Sequence, residues 1–319
     1  MKLDENSDYR FNQPPEIPIQ LRGSDVPVRY YTVEDVLPTI GYTGTKGAIV
    51  FVHGLRDRAR YFERIARCFV GRGYRAFLLE LPGYDARSWG SPAQLDEYTI
   101  PAFAEYLQHS IEALEARHHI ARSEWIIWGH SMGGAIVYRA MAQNPAMFCQ
   151  FDAIVLEAPA FSGRLTFGSH VAIWLSEPLH KSVTGRYIGR KLIEAYRVTQ
   201  GTHPGAASDK ALTIEGYADS YPIFYQSVVS LKHPSNTFDP KHLQALGRER
   251  LLWIWSPNDQ AVNAKPPQVI PVRQQIKLVA GHASSLVAPQ AVCQEVEQKL
   301  GELKSEGTGT ANHIPSGSS

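Results

Sequence analysis

The sequence predicts an α/β domain with a doubly wound, mostly parallel sheet of about eight strands and a helical insertion. Apolar runs of strand length alternate with segments of helical periodicity, and two alternating stretches at the start of the chain indicate a hairpin. The alternation stops between Phe161 and about Pro240, where an insertion is expected. Continuous apolar strands separated by helices are typical of a parallel sheet that is covered on both faces.

The predicted elements follow one another in a regular order. The hairpin comprises Ile17 to Leu21 and Val26 to Val33, and the buried strands are predicted at 48–52, 76–79, 125–128, 153–156, 251–255 and 276–279. Helices are predicted at about 61–70, 100–118, 132–143 and 288–303. Because strand, helix and strand make the unit of a parallel sheet, the strands should share one carboxyl edge.

This pattern predicts a core in two parts, an insertion and a tail. Residues 1–160 and 241–304 form the core, residues 161–240 form a helical lid, and residues 305–319, rich in Gly, Ser and Thr, form a disordered tail. The lid segment is rich in aromatic residues, which must pack together or face a ligand. Trp174 and Tyr221 are candidates for substrate contacts within it.

Composition excludes several classes of protein. With 44% hydrophobic and 20% charged residues, the 319-residue chain has the composition of a globular domain, not a fibre or a disordered tail. The net charge of +1 argues against nucleic-acid binding. No apolar run approaches the roughly 20 residues that span a bilayer, and the N-terminus has no signal core, so we expect a cytoplasmic protein without an integral membrane segment.

The three cysteines give no sign of a disulfide framework or a metal site. Cys68, Cys149 and Cys293 are odd in number, far apart and outside any paired ligand spacing, so we expect three core or helix-face residues. No metal and no organic cofactor is expected. The sequence makes no prediction of the oligomeric state.

The strongest local motif is Gly129-His130-Ser131-Met132-Gly133, which lies between a predicted strand and a predicted helix. This is G-x-S-x-G in the context where a serine occupies a strained turn, and glycines let the neighbouring backbones pass close by. The turn raises the hydroxyl of Ser131 above the sheet at the positive end of a helix. We therefore predict that Ser131 is a nucleophile.

Such a serine needs a histidine base and an acid that orients the histidine. Asp259 follows the predicted strand 251–255, and His282 follows the next one. The order Ser, Asp, His places all three at the carboxyl ends of strands in one sheet. Asp239 and Asp219 are the alternative acids.

Backbone amides at two positions would stabilise an oxyanion. One is Met132, directly after the nucleophile, and the other is Leu55, in the loop His53-Gly54-Leu55 after the strand 48–52. We expect His53 to be a hydrogen-bonded scaffold residue rather than a second base. It is also a candidate substrate contact.

These motifs resemble the α/β-hydrolase superfamily, and within it the monoacylglycerol lipase, lysophospholipase and serine aminopeptidase-like branch. The resemblance runs from His53 to about Val287 and is carried by His53-Gly54, Arg60-Tyr61, Gly73-Tyr74, Gly129 to Gly134, Asp259 and Gly281-His282. It implies a triad of Ser131, Asp259 and His282, with amide donors Leu55 and Met132. Residues Glu80 to Trp89 replace the usual Gly-His-Gly loop beside the acyl pocket, where Tyr84 is a candidate substrate contact.

The predicted activity is hydrolysis of a small-molecule carboxylic ester, of lipase, lysophospholipase or esterase type, with an apolar acyl or aryl group. The same triad would also serve an aminopeptidase, a thioesterase or a carbon-carbon hydrolase. An aminopeptidase needs acidic groups for the substrate amine, a role that Glu157 and one lid carboxylate were candidates to fill. A non-catalytic ligand-binding scaffold is the alternative from another class.

Overall fold

One eight-stranded sheet organises the chain in this computed structural model, which describes residues 15–33, 46–55, 57–84, 98–166, 184, 185, 188, 226–244 and 250–309. The strand order is β1-β2-β4-β3-β5-β6-β7-β8. Strands β1 and β2 form an antiparallel hairpin, β2 pairs antiparallel with β4, and β3 to β8 are mutually parallel. The strands are β1 Glu16–Leu21, β2 Ser24–Thr32, β3 Gly47–Val52, β4 Tyr74–Glu80, β5 Trp125–His130, β6 Ala153–Glu157, β7 Leu251–Trp255 and β8 Gln275–Lys277.

The helices of the described residues lie between these strands and after the last one. They are α1 Glu63–Val70, α2 Ile100–His118, α3 Met132–Gln143, α4 Pro145–Phe148, α5 Lys241–Gln244, α6 Ser284–Val287 and α7 Pro289–Gly309, and residues 226–232 are also helical. The side chain of Thr99 accepts a hydrogen bond from the N–H of Ala102 and so caps α2. None of the helices among the described residues is long and apolar enough to cross a membrane.

The sheet separates two apolar cores because successive side chains of a strand point to opposite faces. On β3, Ala48, Val50 and Val52 belong to the core that also contains residues of α2 and α3. Ile49 and Phe51 belong to the second core, beneath α1 and α7. All six residues of β3 are buried, which explains why this strand appears in the sequence as a continuous apolar run.

The predicted fold class is confirmed: the hairpin, the parallel strands and the helices on both faces are present, with shifted ends. Strand β8 stops at Lys277 because Leu278 turns away after its N–H donates to the carbonyl of Trp255, and Val279 is 77% exposed. Helix α7 runs to Gly309, so the first residues of the predicted tail are helical, whereas residues 310–319 lie outside the described part.

Of the predicted lid, residues 161–240, the structure describes 161–166, 184, 185, 188 and 226–240. Trp174 and Tyr221 lie outside the described residues. The first segment, residues 162–166, is called here the insertion root. It is hydrogen-bonded to the loop after β7: Thr166 donates from its N–H to the carbonyl of Ala261 at 3.2 Å and from Oγ1 to that of Gln260 at 2.7 Å. The N–H of Asn263 donates to the carbonyl of Arg164 at 2.7 Å.

Candidate active site

The backbone at Ser131 has the strained geometry that its motif predicts. Its φ of 53° and ψ of −115° are values that a non-glycine residue rarely adopts. Strand β5 ends at His130 and helix α3 begins at Met132, so the turn between them is a single residue. The conformation is held by backbone hydrogen bonds, because the N–H of Ser131 donates to the carbonyl of Glu157 at 2.9 Å.

The glycines of the motif allow α3 to cross close above the sheet. A Cβ atom on Gly133 would lie far inside van der Waals contact with the carbonyl oxygen of Val52, and one on Gly129 would clash with that of Gly133. Both obstacles are backbone atoms, which cannot rotate away. The turn therefore requires glycine at each position, and the strain at Ser131 is built into the crossing of β5 and α3.

Three side chains from different loops form a hydrogen-bonded chain at the carboxyl edge of the sheet. The distance from Ser131 Oγ to His282 Nε2 is 2.9 Å, and the distance from His282 Nδ1 to Asp259 Oδ2 is 2.8 Å. Ser131 is 8% exposed, and the side chains of His282 and Asp259 are 18% and 1% exposed. The sequence placed these three residues at this edge, and the geometry brings them into direct contact.

Asp259 is held as an ionised carboxylate. Burial alone would raise its pKa, but the adjacent His282 and the hydrogen bonds from the N–H groups of Val262 and Ala261 outweigh burial and lower the pKa below its ordinary value. Those N–H groups donate to Oδ1 at 3.0 and 2.9 Å, which leaves Oδ2 for His282. A carboxylate fixed in this way can hold the imidazole with its proton on Nδ1.

The loops of the acid and the base are joined at Ser256, the first residue after β7. Its Oγ accepts from the N–H of Asn258 at 3.1 Å and from the N–H of Gly281 at 3.2 Å. One hydroxyl thus connects the segment that leads to Asp259 with the residue before His282. The buried side chain of Ser256 fixes the spacing of the two loops, a role that its place in the sequence did not reveal.

Glu157, at the end of β6, anchors the segment that follows His282. Its Oε1 accepts from Ser284 Oγ at 2.6 Å and from the N–H of Ser285 at 2.8 Å. Its Oε2 accepts from Ser285 Oγ at 2.6 Å and from Trp128 Nε1 at 3.0 Å. The residue is fully buried. The suggestion that Glu157 holds the amine of a peptide substrate is therefore wrong, because its oxygens are engaged inside the protein.

His130, next to the nucleophile, holds the main chain of His282. Its Nε2–H donates to the carbonyl of His282 at 3.0 Å, its Nδ1 lies 3.5 Å from Asp57 Oδ2, and its ring stacks on that of Tyr61 at 4.4 Å. Burial lowers the pKa of His130, but the hydrogen bond to Asp57 and the charges of Glu157 and Asp57 outweigh it and raise the pKa. The ring therefore favours the protonated form, which can donate from both nitrogens.

The loop that carries the second predicted amide donor touches the nucleophile. A Cβ on Gly54 would lie 3.1 Å from Ser131 Cβ and 2.7 Å from Asp57 Oδ2, so this backbone passes directly beside the serine. Leu55 follows at the next position, and Met132 is the first residue of α3, where an N–H has no partner within the helix. Both predicted donors thus belong to backbone segments that flank Ser131.

Of the predicted substrate contacts, His53 and Tyr84 lie in the described residues. His53 is fully buried; its Nδ1–H donates to the carbonyl of Gly54 at 2.9 Å, and its Nε2 accepts from the N–H of Leu81 at 3.1 Å. This position does not fit a substrate contact, because both nitrogens brace the loop. Tyr84 packs its ring against that of His53, and its hydroxyl lies 3.7 Å from the sulfur of Met132, close to the nucleophile.

The sequence predicted His282 as the base but did not reveal the residues that hold it in place. Glu157 closes an apolar strand, and a charged residue at the end of such a run was a usable signal for a buried, hydrogen-bonded carboxylate. In the sequence, His130 is part of the serine motif and Ser256 is a loop residue, and neither position indicates a role in holding His282. Their partners, Ser285, Asp57 and Gly281, lie far away in the sequence.

The fold and the arrangement of these loops define an α/β-hydrolase. Residues 43–221 match the family described as "Serine aminopeptidase, S33", which covers more than half of the chain, and the protein belongs to this family. It is 30% identical over 118 residues to a monoacylglycerol lipase of Mycolicibacterium smegmatis, a match that covers 37% of this chain and 39% of that protein.

Two longer matches extend over most of the fold. The chain is 22% identical over 245 residues to the uncharacterized hydrolase YugF of Bacillus subtilis, which covers 74% of this chain and 82% of that protein. It superimposes on the esterase RhEst1 of a Rhodococcus species with a TM-score of 0.63 and 16% identity, over 92% of this chain and 100% of the other. The shorter lipase match spans about two fifths of that relative, so its activity does not transfer directly.

Proposed function

We propose that this hydrolase cleaves carboxylic esters through an acyl-enzyme, with Ser131 as nucleophile, His282 as base and Asp259 as the orienting acid. The observation that carries the proposal is the unbroken chain of hydrogen bonds from Ser131 Oγ through His282 to Asp259, at 2.9 and 2.8 Å. A serine hydroxyl is a weak nucleophile without such a base. The position at a strained turn and a helix N-terminus favours the same role.

In the first half of the reaction, His282 Nε2 accepts the hydroxyl proton as Ser131 Oγ bonds to the ester carbonyl carbon. Negative charge develops on the carbonyl oxygen, where the N–H groups of Met132 and Leu55 are proposed to donate. The carbon–oxygen bond to the alcohol then breaks, and His282 returns the proton to that oxygen. The products are a free alcohol and an acyl group esterified to Ser131.

In the second half, water takes the place of the alcohol. His282 Nε2 accepts a proton from the water as its oxygen attacks the acyl carbon, and the proton then passes to Ser131 Oγ as the acyl bond breaks. Asp259 remains ionised throughout, as its lowered pKa favours, and stabilises the positive imidazolium. The cycle releases a carboxylic acid and needs no metal or organic cofactor.

The proposed substrate is a small-molecule ester with an apolar acyl or aryl group. Leu55, Tyr84 and Met132 belong to one apolar core, and Met132 is the chain neighbour of the nucleophile, a setting that favours an apolar group over a charged one. The relative named monoacylglycerol lipase supports an acyl ester, and the Rhodococcus esterase supports ester chemistry on this fold. The four internal hydrogen bonds of Glu157 argue against a charged amine substrate.

A graded panel of p-nitrophenyl esters, from acetyl to long acyl chains, tests the proposal. We expect hydrolysis by the wild type and loss of about six orders of magnitude in kcat for Ser131→Ala, as for other serine nucleophiles. Ser305→Ala, in the exposed part of α7, is the control that should retain full activity. The chain length at the maximum rate measures the acyl pocket.

A fluorophosphonate probe separates the alternatives. If Ser131 is labelled but no ester is hydrolysed, ester specificity is wrong, and amides, thioesters and carbon-carbon substrates are tested next. If Ser131 is neither labelled nor needed for any turnover, the hydrolase proposal fails and a ligand-binding scaffold replaces it. Equal activity of Ser131→Ala and wild type on every ester would show that the site is elsewhere.

A further inference from the structure

Two cysteines that are 225 positions apart in the sequence (293 − 68) face each other on the side of the sheet covered by α1 and α7. Cys68 lies on α1 and Cys293 on α7, and both belong to the second apolar core. Each thiol shifts the pKa of the other, as neighbouring groups do, and both thiols are reduced. Neither residue belongs to the candidate active site.

An ion pair one turn further along fixes the alignment of the two helices. Arg72 follows Cys68 by four residues, and Glu297 follows Cys293 by four. Arg72 Nε lies 2.9 Å from Glu297 Oε2, and its NH1 group donates to the carbonyl of Cys68 at 3.1 Å. Lys46 Nζ lies 2.8 Å from Glu297 Oε1 and holds this carboxylate from the other side. Cys293 and Glu297 are four residues apart on α7 and share a face of that helix, whereas Arg72 lies in the turn after α1 and bonds back to the carbonyl of Cys68.

The two thiols are not equivalent. Cys68 is 7% exposed and Cys293 is fully buried, so Cys68 is the more accessible residue of the pair. The hydrogen bond from the Cys293 thiol lowers the pKa of Cys68 to about 7; burial opposes the change, and the charge of Arg72 adds to it. The same hydrogen bond raises the pKa of Cys293. Ionisation is therefore favoured at Cys68 over Cys293, and the thiolate is the reactive form of cysteine.

We propose that Cys68 and Cys293 form a reversible disulfide, a redox modification site that reacts with a peroxide and joins α1 to α7. The Cys68 thiolate attacks one peroxide oxygen, the oxygen–oxygen bond breaks, and Cys68 becomes a sulfenic acid as hydroxide leaves. Cys293 sulfur then attacks Cys68 sulfur, the sulfur–oxygen bond breaks, and the Cys293 proton leaves with the hydroxide as water. Two thiols and hydrogen peroxide give one disulfide and two waters, and a dithiol reductant reverses the reaction by exchange.

The test uses the full chain with Cys149→Ser, which removes the third, partly exposed thiol and leaves the pair intact. The protein is treated with hydrogen peroxide while folded, then unfolded, and its free thiols are counted. We expect the count to fall from two to none and the mass to fall by two hydrogen atoms. A non-reducing digest should contain Cys68 and Cys293 in one linked peptide, and dithiothreitol should restore both thiols.

Variants identify the order of the steps. In Cys293→Ala the sulfenic acid of Cys68 has no partner, so dimedone should trap it, whereas the protein with both thiols should give little dimedone adduct. Cys68→Ser should protect Cys293 from oxidation. The proposal is overturned if oxygen accumulates on Cys68 while Cys293 remains a free thiol, or if both thiols survive peroxide that oxidises free cysteine. None of these measurements requires enzymatic activity, so their outcome does not depend on the proposed ester hydrolysis.

Discussion

The nucleophile and the base of the candidate site are held by different kinds of force. Ser131 is fixed by the backbone: its φ is positive, and Gly133 brings α3 against the carbonyl of Val52. His282 is fixed by side chains: His130 holds its carbonyl, Glu157 anchors the residues after it, and Ser256 holds the residue before it. The support of Ser131 comes from backbone contacts, and that of His282 comes from side chains of three separate segments, which are β5, β6 and the loop after β7.

The difference predicts how each support should fail. The backbone atoms where α3 crosses the sheet cannot rotate away from an added methyl group, so such a group should lower the stability of the fold. A network of side-chain hydrogen bonds can be altered one bond at a time, so its loss should misplace the imidazole while the fold survives. Stability measurements and kinetic measurements together therefore separate the two regions.

Among these supports, the largest effect is expected from substitution of Asp259, which should lower activity and leave folding almost unchanged. Asp259→Asn keeps the size of the side chain but favours the wrong imidazole tautomer, so we expect kcat to fall by about four orders of magnitude. The thermal midpoint should change little by comparison. Asp239→Asn is the matched control, since Asp239 is the alternative acid and its Oδ1 only accepts from the N–H of Lys241 at 2.9 Å. If Asp239→Asn were the slower variant, the acid would be misassigned.

The second effect is expected at the backbone crossing. In Gly133→Ala the new Cβ meets the Val52 carbonyl oxygen, so we expect the free energy of unfolding to fall by more than about 3 kcal/mol. Gly163→Ala is the control, because a Cβ there has no atom within 4 Å. Urea denaturation of both variants measures the difference. Similar stability of the two would mean that α3 can move away from β3 at little cost.

The third effect is expected at Glu157. Each oxygen of Glu157 accepts from a group that can only donate: Oε1 accepts from the N–H of Ser285, and Oε2 accepts from Trp128 Nε1. In Glu157→Gln the side-chain NH2 group therefore faces one of these donors in either orientation of the amide. We expect kcat to fall by about ten to a hundredfold as the imidazole shifts, with a smaller change in KM.

A second substitution sharpens this test. Trp128→Phe removes one of the two donors, so the double variant can place the amide nitrogen at the vacated position and accept from Ser285 with its oxygen. We expect the double variant to recover part of the kcat that Glu157→Gln loses. Additive losses in kcat would contradict the assignment of Glu157 as the anchor of the His282 segment.

The smallest effect is expected from the protonation of His130. Since its folded pKa is raised above the unfolded value of about 6.5, its contribution to stability is complete below that pH and is lost as the pH rises through the folded pKa. The stability difference between wild type and His130→Phe should therefore be larger at pH 6 than at pH 9. His109→Gln, at a partly exposed position, controls for the loss of a histidine. A difference that grows with pH would reverse the assigned charge.

Sequence alone was sufficient where structure is set locally. The apolar run 48–52 predicts a strand that is buried on both faces, and the glycines around Ser131 predict a tight turn. Each prediction depends only on residues within the segment itself. The same reasoning placed Asp259 and His282 at the common edge of the parallel strands, where the structure has them within hydrogen-bond distance of each other, and their catalytic roles are a proposal. Strand ends were less accurate: Val279 is apolar yet 77% exposed, and β8 had already ended two residues before it.

What the sequence did not reveal depends on contacts between distant segments. The bonds from Glu157 to Ser285 join residues 128 positions apart, and those from His130 to His282 join residues 152 apart. The spacing of the cysteines gave no sign of a disulfide, yet Cys68 on α1 and Cys293 on α7 lie in the same apolar core. Linear spacing carries no information about such pairs until the packing of the helices is known.

The insertion root gives the fold a natural boundary for exchanging the segment that follows it. Residues 164–166 are hydrogen-bonded to residues 260–263, and Asp259 receives its two backbone N–H groups from the same loop. A graft that begins after Thr166 leaves these bonds in place, whereas one that begins at Ser162 removes a brace from the acid. The choice of splice point therefore decides whether the loop that contains Asp259 keeps its hydrogen bonds to the insertion root.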